Sequence, residues 1–414
     1  MARKVLLSPH VSKLMQHFYE SEEVLSYGLI LGHFDGKDVM VVHLARTPNE
    51  EGEIEENQVA KINDIDEVWL AEHIKQVQNM LPGGMNIQGM FVASKENPFS
   101  CKNKIIACLN KIDKSKPLPL MYLNPKSNEC TIQNMTTAKS ISFEVVDLNW
   151  VCLKASLILD QPLAFTADGP LKEKLNAAVT KLEKPLEKAE MLINGRCMGK
   201  NELLVPVSKE SKKSGGRKGS NKEDSATSCD DDDGDGNQYK TVRDLEVDIL
   251  FGPECSDLQD TVTSDVCAKM RIMGRMSARA FASPHCSVET GLQYLREDIL
   301  RTFKARLNMH CDSLVGEETA GTDVELPILH EPPRRINIRL PASPITVSDF
   351  LFPGETPEES VKAVEEMLGF TPNFEHLDDE LEIVASPQTI RVRNLNGIFF
   401  RASFLIFTLF SDGG

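Results

Sequence analysis

The sequence predicts a mixed α/β protein (α+β), built from two folded units with a polar segment between them. In the first 160 residues, helically spaced apolar residues alternate with short continuous apolar runs. Residues 207–238 are a basic block followed by an acidic block, with almost no large apolar residue. Such a segment cannot bury a core, so we expect a disordered linker. Strand-like and helix-like patterns resume at Tyr239.

The first elements are predicted by a helix cap and a hairpin turn. Ser8 is suited to the cap position, and Pro9 to the first helical position, where its missing N–H costs nothing. Two apolar runs, 25–32 and 38–46, are joined by a turn containing Asp35-Gly36, which is typical of a hairpin. Because both runs are continuously apolar, we expect the hairpin to be buried on both faces.

A second helix is predicted from Asp64 to Leu81. Acidic residues lie in its first turn, where they suit the helix dipole, and Pro82-Gly83-Gly84 ends it. After this helix the sequence predicts a strand at 85–93 and a helix at 100–112. Four more strands are predicted, at 118–123, 128–133, 140–146 and 150–159.

The second half of the chain has longer elements. A helix is predicted over 171–193, which Pro185 should kink or divide. Beyond the linker we expect strands at 241–251, 265–273, 276–282 and 335–340, a long helix at 287–308 and a short acidic helix at 355–368. The predicted division is an N-terminal domain 1–160, a helical extension 161–206, the linker 207–238, a smaller second α/β domain 239–345 and a tail 346–414.

Composition disfavours several functions. The 62 Asp and Glu against 46 Lys and Arg give a net charge of −16, which repels nucleic acid. Ten cysteines without a CxxC pair suit a reduced, cytosolic environment, and the first ten residues carry no secretory signal pattern. No Gly-rich phosphate loop or GxSxG elbow occurs in the sequence.

The order helix, hairpin, helix, strand, helix, strands resembles that of an MPN (JAMM-type) domain. Active members use two His and an Asp to hold zinc, with a Glu on the first hairpin strand as general base. Here the strand that should open into His-x-His reads Gly89–Lys95 (GMFVASK), and Leu25–Tyr27 offers no Glu. We therefore expect an MPN-like domain without metal ligands, cofactor or catalytic residues.

His33 and His43 flank the predicted hairpin and are candidates for a metal site. Two histidines without a third ligand are more typical of a hairpin surface, and this is what we expect.

Several longer sequence segments resemble the odr-4-like (odorant response abnormal) family. They are Tyr27–Gly32, Ala45–Pro48 and above all Ile65–Gly84 (IDEVWLAEHIKQVQNMLPGG), with a weaker likeness at Arg296–Leu300. The resemblance implies a non-enzymatic factor at the endoplasmic reticulum membrane, on its cytosolic face, that aids folding or trafficking of seven-helix receptors. It also implies an adaptor that tethers the protease removing the ubiquitin-fold modifier, a partner with an MPN-like or protease domain.

A domain freed from catalysis is suited to pairing with another domain. We expect the contact surface on the second helix and the turn after it. Trp69 is its best anchor if exposed, although core packing is the commoner role of such a residue. The predicted interface residues are Trp69, Glu72, His73, Gln76, Pro82, Gly83 and Gly84.

The apolar segment 397–410 contains Arg401 and is shorter than the roughly 20 residues of a spanning helix. It suits an interfacial position, with Arg391 and Arg393 near headgroups, or equally a final buried strand. Without anchoring, the protein would be cytoplasmic. Two alternatives stay open: a divergent MPN-type zinc hydrolase, and a cytosolic lid-type scaffold without a membrane role.

Overall fold

A computed structural model of the full chain shows the mixed α/β class that the sequence predicts. The structure describes residues 4–21, 25–48, 61–114, 118–166, 171–205, 243–251, 266–319, 329–330, 333–352, 354–379 and 382. The predicted linker 207–238 and apolar segment 397–410 lie outside these residues.

The N-terminal part forms one eight-stranded sheet. Its strands are β1 (Lys4–Leu7), β2 (Leu25–Phe34), β3 (Val39–Arg46), β4 (Asn86–Ser94), β5 (Pro119–Asn124), β6 (Glu129–Asn134), β7 (Lys139–Ser140) and β8 (Ser142–Val145), in the order β7-β6-β5-β4-β2-β3-β1-β8. The two outermost strands are consecutive in the chain: β7 pairs with β6, and β8 pairs with β1. The two ends of the sheet are therefore joined through one short chain segment.

Three helices pack on this sheet: α1 (Pro9–Glu20), α2 (Glu67–Met80) and α3 (Lys102–Ile112). Their starts follow the capping signals. The hydroxyl of Ser8 accepts from the N–H of Val11 at 3.4 Å. The carboxylate of Asp66 accepts from the N–H groups of Val68 and Trp69 at 2.6 and 3.1 Å. Side-chain acceptors thus satisfy N–H groups that a helix leaves free at its first turn.

The predicted hairpin β2–β3 is buried on both faces. Along β2, Leu29 and Leu31 belong to one apolar cluster, and Ile30 between them belongs to another. Successive strand side chains point to opposite faces, so the hairpin separates two cores. The prediction of two-sided burial is confirmed.

The second sheet is built around a long two-stranded ribbon. Its strands are β9 (Val151–Thr166), β10 (Glu190–Ile193), β11 (Arg243–Leu250), β12 (Val266–Ala282) and β13 (Leu329–His330), in the order β10-β11-β9-β12-β13. β9 and β12 pair antiparallel over their whole lengths. The helices α4 (Leu171–Lys188) and α5 (Val288–Thr319) pack against this sheet. Leu295, Ile299 and Phe303 of α5 contribute to the shared core.

A third, smaller layer closes the N-terminal unit. Strands β14 (Arg334–Arg339), β15 (Thr346–Leu351) and β16 (Leu377–Asp378) form one sheet, and α6 (Pro357–Leu368) lies beside it. Ile336, Val347 and Leu368 belong to the same apolar cluster as Leu29 on β2. Residues from the last third of the chain thus complete the first core.

The structure corrects three predictions about single elements. The predicted helix 171–193 ends at Lys188 and passes Pro185 undivided; the next residues form β10, which pairs with β11 because its buried side chains alternate. The strands predicted at 265–273 and 276–282 are one strand, since Gly274 pairs with Leu159 without a register shift. Residues 346–351, which were assigned to the tail without a strand, form β15, whereas the helix predicted at 355–368 is confirmed as α6.

Among the described residues, no helix combines the length and apolarity needed to cross a bilayer. The predicted domain boundaries stay predictions.

Candidate protein interface and the buried junction beside it

The outward face of α2 carries the exposed part of the predicted interface. Val68, Glu72 and Gln76 recur every four residues and therefore lie on one side of the helix. Val68 is 78% exposed, an unusual value for an apolar side chain. The carboxylate of Glu72 accepts from Lys75 and from the amide of Gln76 at 3.1 and 2.8 Å. This face is polar, with one apolar residue at its N-terminal end.

Trp69 is neither a core residue nor a free anchor. Its side chain is half-buried, and its indole N–H donates to the carbonyl oxygen of Pro48 at 2.7 Å. The bond attaches the first turn of α2 to the chain that leaves β3.

His73 is a buried residue that faces inward from α2. Its Nε2–H donates to the carbonyl of Met367 at 2.8 Å, and its Nδ1 accepts from the hydroxyl of Thr47 at 3.0 Å. Desolvation by burial lowers the pKa of His73, and the hydrogen bond to Met367 opposes that shift. His73 is therefore a neutral donor at the C-terminus of α6.

His43 has the same role from β3. Its Nε2–H donates to the carbonyl of Leu368 at 2.8 Å, and its Nδ1 faces Nε2 of His10 at 3.3 Å. Burial lowers the pKa of His43 to about 4, against the hydrogen bond to Leu368 and with a smaller contribution from His10. The last carbonyls of a helix lack partners within it, so His43 and His73 together cap α6.

His33 does not approach His43. Its Nδ1–H donates to the carbonyl of Gly84 at 2.7 Å, and its ring meets those of Trp150 and Tyr294 edge-on. His33 and His43 are each 1% exposed, so the prediction of a hairpin surface was wrong. Burial on both faces of the hairpin covers the positions of both histidines, whereas Phe34 at the end of β2 is 38% exposed.

The predicted interface turn Pro82–Gly84 is buried within the chain. The N–H of Gly83 donates to the carbonyl of Arg279, and its carbonyl accepts from Phe281 at 2.8 Å. Gly83 thereby pairs with the outer edge of β12. The turn joins the first unit to the second sheet, so the exposed part of the predicted interface is the face of α2.

Only glycine fits this junction. A Cβ on Gly83 would lie 2.1 Å from the carbonyl oxygen of Tyr294. Gly84 has φ +80°, and a Cβ there would lie 2.2 Å from the carbonyl oxygen of Phe281. The backbone of the turn lies so close to the carbonyl oxygens of Tyr294 and Phe281 that neither position has room for a side chain.

A buried ion pair lies against this turn. Asp298 of α5 and Arg335 of β14 have side chains that are each 1% exposed. Two guanidinium nitrogens of Arg335 donate to the two carboxylate oxygens of Asp298, at 2.7 and 3.1 Å. Asp298 also accepts from the N–H groups of Gly83 and Arg279 at 3.1 and 2.9 Å. Three separate chain segments thus share one carboxylate.

A second buried pair joins Arg306 of α5 to Glu382. One terminal nitrogen of Arg306 lies 2.7 Å from both carboxylate oxygens, and the guanidinium stands over the ring of Phe350. Desolvation by burial lowers the pKa of Arg306, and Glu382 opposes the shift. Charges this deeply buried require compensation of this kind.

Around the end of the segment Gly89–Lys95, where the MPN resemblance would place His-x-His, polar side chains bond to backbone N–H groups. The hydroxyl of Ser94 accepts from the N–H of Glu96 at 3.1 Å. The carboxylate of Glu96 accepts from the N–H of Ile62 at 3.2 Å. In the described ranges, no group of three or more His, Cys, Asp or Glu is placed to hold a metal ion.

Comparison with known proteins assigns the family. The profile described as "ODR4-like: Odorant response abnormal 4-like" matches residues 28–379. The chain belongs to the ODR4-like family. The resemblance recognised in the sequence is therefore confirmed, and the match includes the turn at Gly83 as well as Asp298 and Arg335.

Several proteins named after odr-4 are similar to this chain over most of its length. The mouse "Protein odr-4 homolog" is 22% identical, over 95% of this chain and 89% of its own length. The human homologue is 24% identical, over 91% and 86%. The Caenorhabditis elegans "Odorant response abnormal protein 4" is 21% identical, over 87% and 75%. Among solved structures, UfSP from C. elegans aligns with a TM-score of 0.44 at 10% identity, covering 89% of this chain and 56% of that chain.

Sequence reasoning missed the charged junction. Asp298 lies within Arg296–Leu300, one of the segments that resemble the family, but the sequence predicted no role for it. It predicted none for Arg306, Arg335 or Glu382 either. Arg335 offered a signal, because it lies beside apolar positions in a predicted strand.

Proposed function

We propose that this ODR4-like protein is a non-enzymatic adaptor at the cytosolic face of the endoplasmic reticulum membrane. It aids folding or trafficking of seven-helix receptors and tethers the protease that removes the ubiquitin-fold modifier. Family membership over most of the chain supports the proposal.

The observation that best supports the adaptor role is the set of hydrogen bonds that the buried histidines make to the backbone. His33, His43 and His73 each donate to a backbone carbonyl of another segment, at 2.7–2.8 Å. Each therefore holds two parts of the fold together, and in His43 and His73 the second ring nitrogen also has a protein partner, His10 and Thr47 respectively. Such an arrangement supports a scaffold more than a hydrolase with unrecognised ligands.

The proposed contact surface is the outward face of α2. Val68, Glu72 and Gln76 are exposed, and the buried residues of the helix hold its position against the core. A rigid helix face with an exposed apolar residue beside polar groups suits a protein partner. Segment 397–410 is the proposed membrane contact, as a surface-lying or anchoring segment.

The first experiment is purification of the full-length protein from cells in mild detergent, after separating membrane and soluble fractions. We expect it in the membrane fraction together with the modifier protease or immature receptors. A protein confined to the soluble fraction would contradict the membrane role. Stoichiometric zinc together with isopeptidase turnover would establish the hydrolase alternative.

A charge reversal tests the contact surface. Glu72→Lys should reduce recovery of the protease, because it changes the charge at the centre of the α2 face. Glu366→Lys, on the exposed side of α6, is the matched control. Equal recovery with both variants would place the contact elsewhere.

A further inference from the structure

The outermost strand of the first sheet, β8, is exposed along its whole length. All four of its residues are exposed to solvent, and in the part of the chain that the structure describes it pairs with β1 on one side only. An edge strand of this kind offers unpaired N–H and C=O groups to another strand. We propose that β8 pairs antiparallel with β8 of a second copy, so that the protein forms a two-fold symmetric dimer. This association is independent of the adaptor role and goes beyond it.

Two side chains of β8 continue a buried apolar face to the edge of the sheet. Phe143 and Val145 are 38% and 48% exposed. In the register with β1, Phe143 lies opposite Val5, and Val145 lies opposite Leu7. Val5 and Leu7 are buried in one apolar cluster. Because residues opposite each other in a sheet share a face, this apolar face reaches the last strand and ends in solvent.

The direction of the backbone groups shows which residues of β8 can bond to a new strand. The N–H of Val146 donates to the carbonyl of Leu7 at 2.9 Å, so the backbone at this residue faces β1. Backbone groups alternate in direction along a strand, and those of Glu144 therefore also face β1. The backbone groups of Phe143 and Val145 face the open edge. The two residues that extend the apolar face are thus the same two that can bond to another strand.

One register with a second copy uses both features, and its two-fold axis passes through Glu144. Phe143 of each copy then lies opposite Val145 of the other. Because the backbone groups of both residues face outward, each of these two pairs exchanges two hydrogen bonds, which gives four in total. The apolar face of one copy continues into that of the other, from Val5 through Phe143 to Val145 and Leu7 of the second copy.

The two neighbouring registers do not fit. An axis at Phe143 would place Val145 opposite Ile141 of the other copy, but the N–H of Ile141 already donates to the carbonyl of Ile132 at 2.8 Å. An axis at Val145 would place Phe143 opposite the carboxylate of Asp147. Only the axis at Glu144 pairs the two apolar residues with each other.

The opposite face of the joined strands carries charges that balance. Glu144 forms an ion pair with Lys4 of β1. At the axis the two Glu144 side chains lie directly opposite each other, which by itself is unfavourable. Each keeps its lysine, so two lysines and two glutamates with a net charge of zero lie together across the axis. A second copy therefore complements β8 in hydrogen bonding, apolar contact and charge, and this favours a second copy over an unrelated strand.

The contact is small, so we expect a weak and reversible dimer. Each copy contributes one short strand and two apolar side chains. Interfaces that bury less than about 1,200 Å² are typical of transient complexes. The net charge of −16 on each copy adds repulsion between them. Association should therefore depend on protein concentration and strengthen when salt screens these charges.

The test is analytical ultracentrifugation of the full-length protein in mild detergent over a range of concentrations. Val145→Lys places a lysine at the proposed contact, and Val68→Lys makes the same change at the exposed valine of α2. We expect a monomer–dimer equilibrium for wild type. Val145→Lys should raise the dissociation constant at least about tenfold, because a lysine loses its hydration on entering the contact, and Val68→Lys should leave it unchanged.

A disulfide tests the register. Residues opposite each other in a pair without hydrogen bonds have Cα atoms about 4.5 Å apart, a separation that a disulfide can span. Glu144→Cys should therefore give a covalent dimer under mild oxidation, with the linkage between the two positions 144 identified by mass spectrometry. Ser142→Cys is the control on the same strand and should give no such linkage, because its two copies lie on opposite sides of the axis.

Three results would overturn the proposal. The first is a wild-type protein that stays monomeric at all concentrations. The second is a dimer with the same dissociation constant for Val145→Lys as for wild type, which would place the contact elsewhere. The third is a linkage at position 142 without one at 144, which would reject the register. If Val145→Lys does not fold, the comparison of the two cysteine variants decides.

Discussion

The amide N–H of Gly83 donates to Oδ1 of Asp298 at 3.1 Å, although 215 residues separate them. Each residue lies in a phrase that carried the family resemblance, the helix-and-turn phrase ending at Gly84 and the phrase Arg296–Leu300. The two phrases are therefore parts of one structural junction. The close approach of the backbones explains the glycines at 83 and 84, and the shared carboxylate explains Asp298.

Replacing Gly84 with alanine should strongly destabilise the protein. The new Cβ would collide with the carbonyl of Phe281 and force a positive φ on a residue that disfavours it. We expect a loss of more than about 3 kcal/mol in the free energy of unfolding, measured in urea. Gly36→Ala is the matched control: its φ is +90°, but nothing lies within 4 Å of the added Cβ, so the loss should be about 1–2 kcal/mol. Equal losses would show that the collision is relieved by movement.

Removal of Arg335 should cost far more than removal of a surface charge. Arg335→Met leaves Asp298 buried without its guanidinium, and such a change costs about 3–5 kcal/mol. Lys75→Met breaks the exposed pair with Glu72, for which we expect less than about 1 kcal/mol. Chemical unfolding of both variants measures the difference. A small loss for Arg335→Met would mean that water compensates Asp298.

Acid should weaken the fold through the histidines that cap α6. His43 has a pKa of about 4 when folded and 6.5 as its ordinary value, so the unfolded chain binds more protons between these limits. Stability is therefore full above pH 6.5 and falls as the pH drops towards 4, by up to about 3 kcal/mol for this residue. The measurement is the free energy of unfolding against pH. His43→Gln should flatten the curve, and replacement of exposed His17 should not.

Trp69 should contribute moderately to stability through its indole nitrogen. Trp69→Phe keeps an aromatic ring but removes the bond to Pro48, so we expect a loss of about 1 kcal/mol. Val68→Ser, at the neighbouring exposed position, should change stability by less than about 0.5 kcal/mol. Thermal unfolding distinguishes the two. Retained stability combined with lost protease recovery for Trp69→Phe would instead make Trp69 a partner contact.

Helix starts and the hairpin were predicted correctly because caps and turns are determined by residues that are close in the sequence. The starts of α1 and α2 follow Ser8 and Asp66, and the hairpin follows Asp35-Gly36, since caps and turns depend on neighbouring residues. β10 was missed because its four residues continue an apparently helical pattern. β15 was missed because a strand of six residues gains its stability from β14 and the core beneath it.

The candidate site was predicted only on its outer face. Glu72 and Gln76 are exposed, as a contact surface requires, but His73, Pro82, Gly83 and Gly84 are buried in contacts within the chain. Helical spacing shows which residues share a face, and nothing in it shows which distant segment covers that face. The partners of the turn come from β12 and α5, whose approach depends on the whole topology.

The capping of α6 has a consequence for how the chain is made. His43 receives its acceptor from Leu368, 325 residues later. At about 5–20 residues per second, a ribosome needs roughly 15–65 s to synthesise that interval. Throughout this time the nascent N-terminal sheet lacks the layer of β14, β15 and α6 that closes its core. The first 150 residues, expressed alone, would therefore keep an open apolar face.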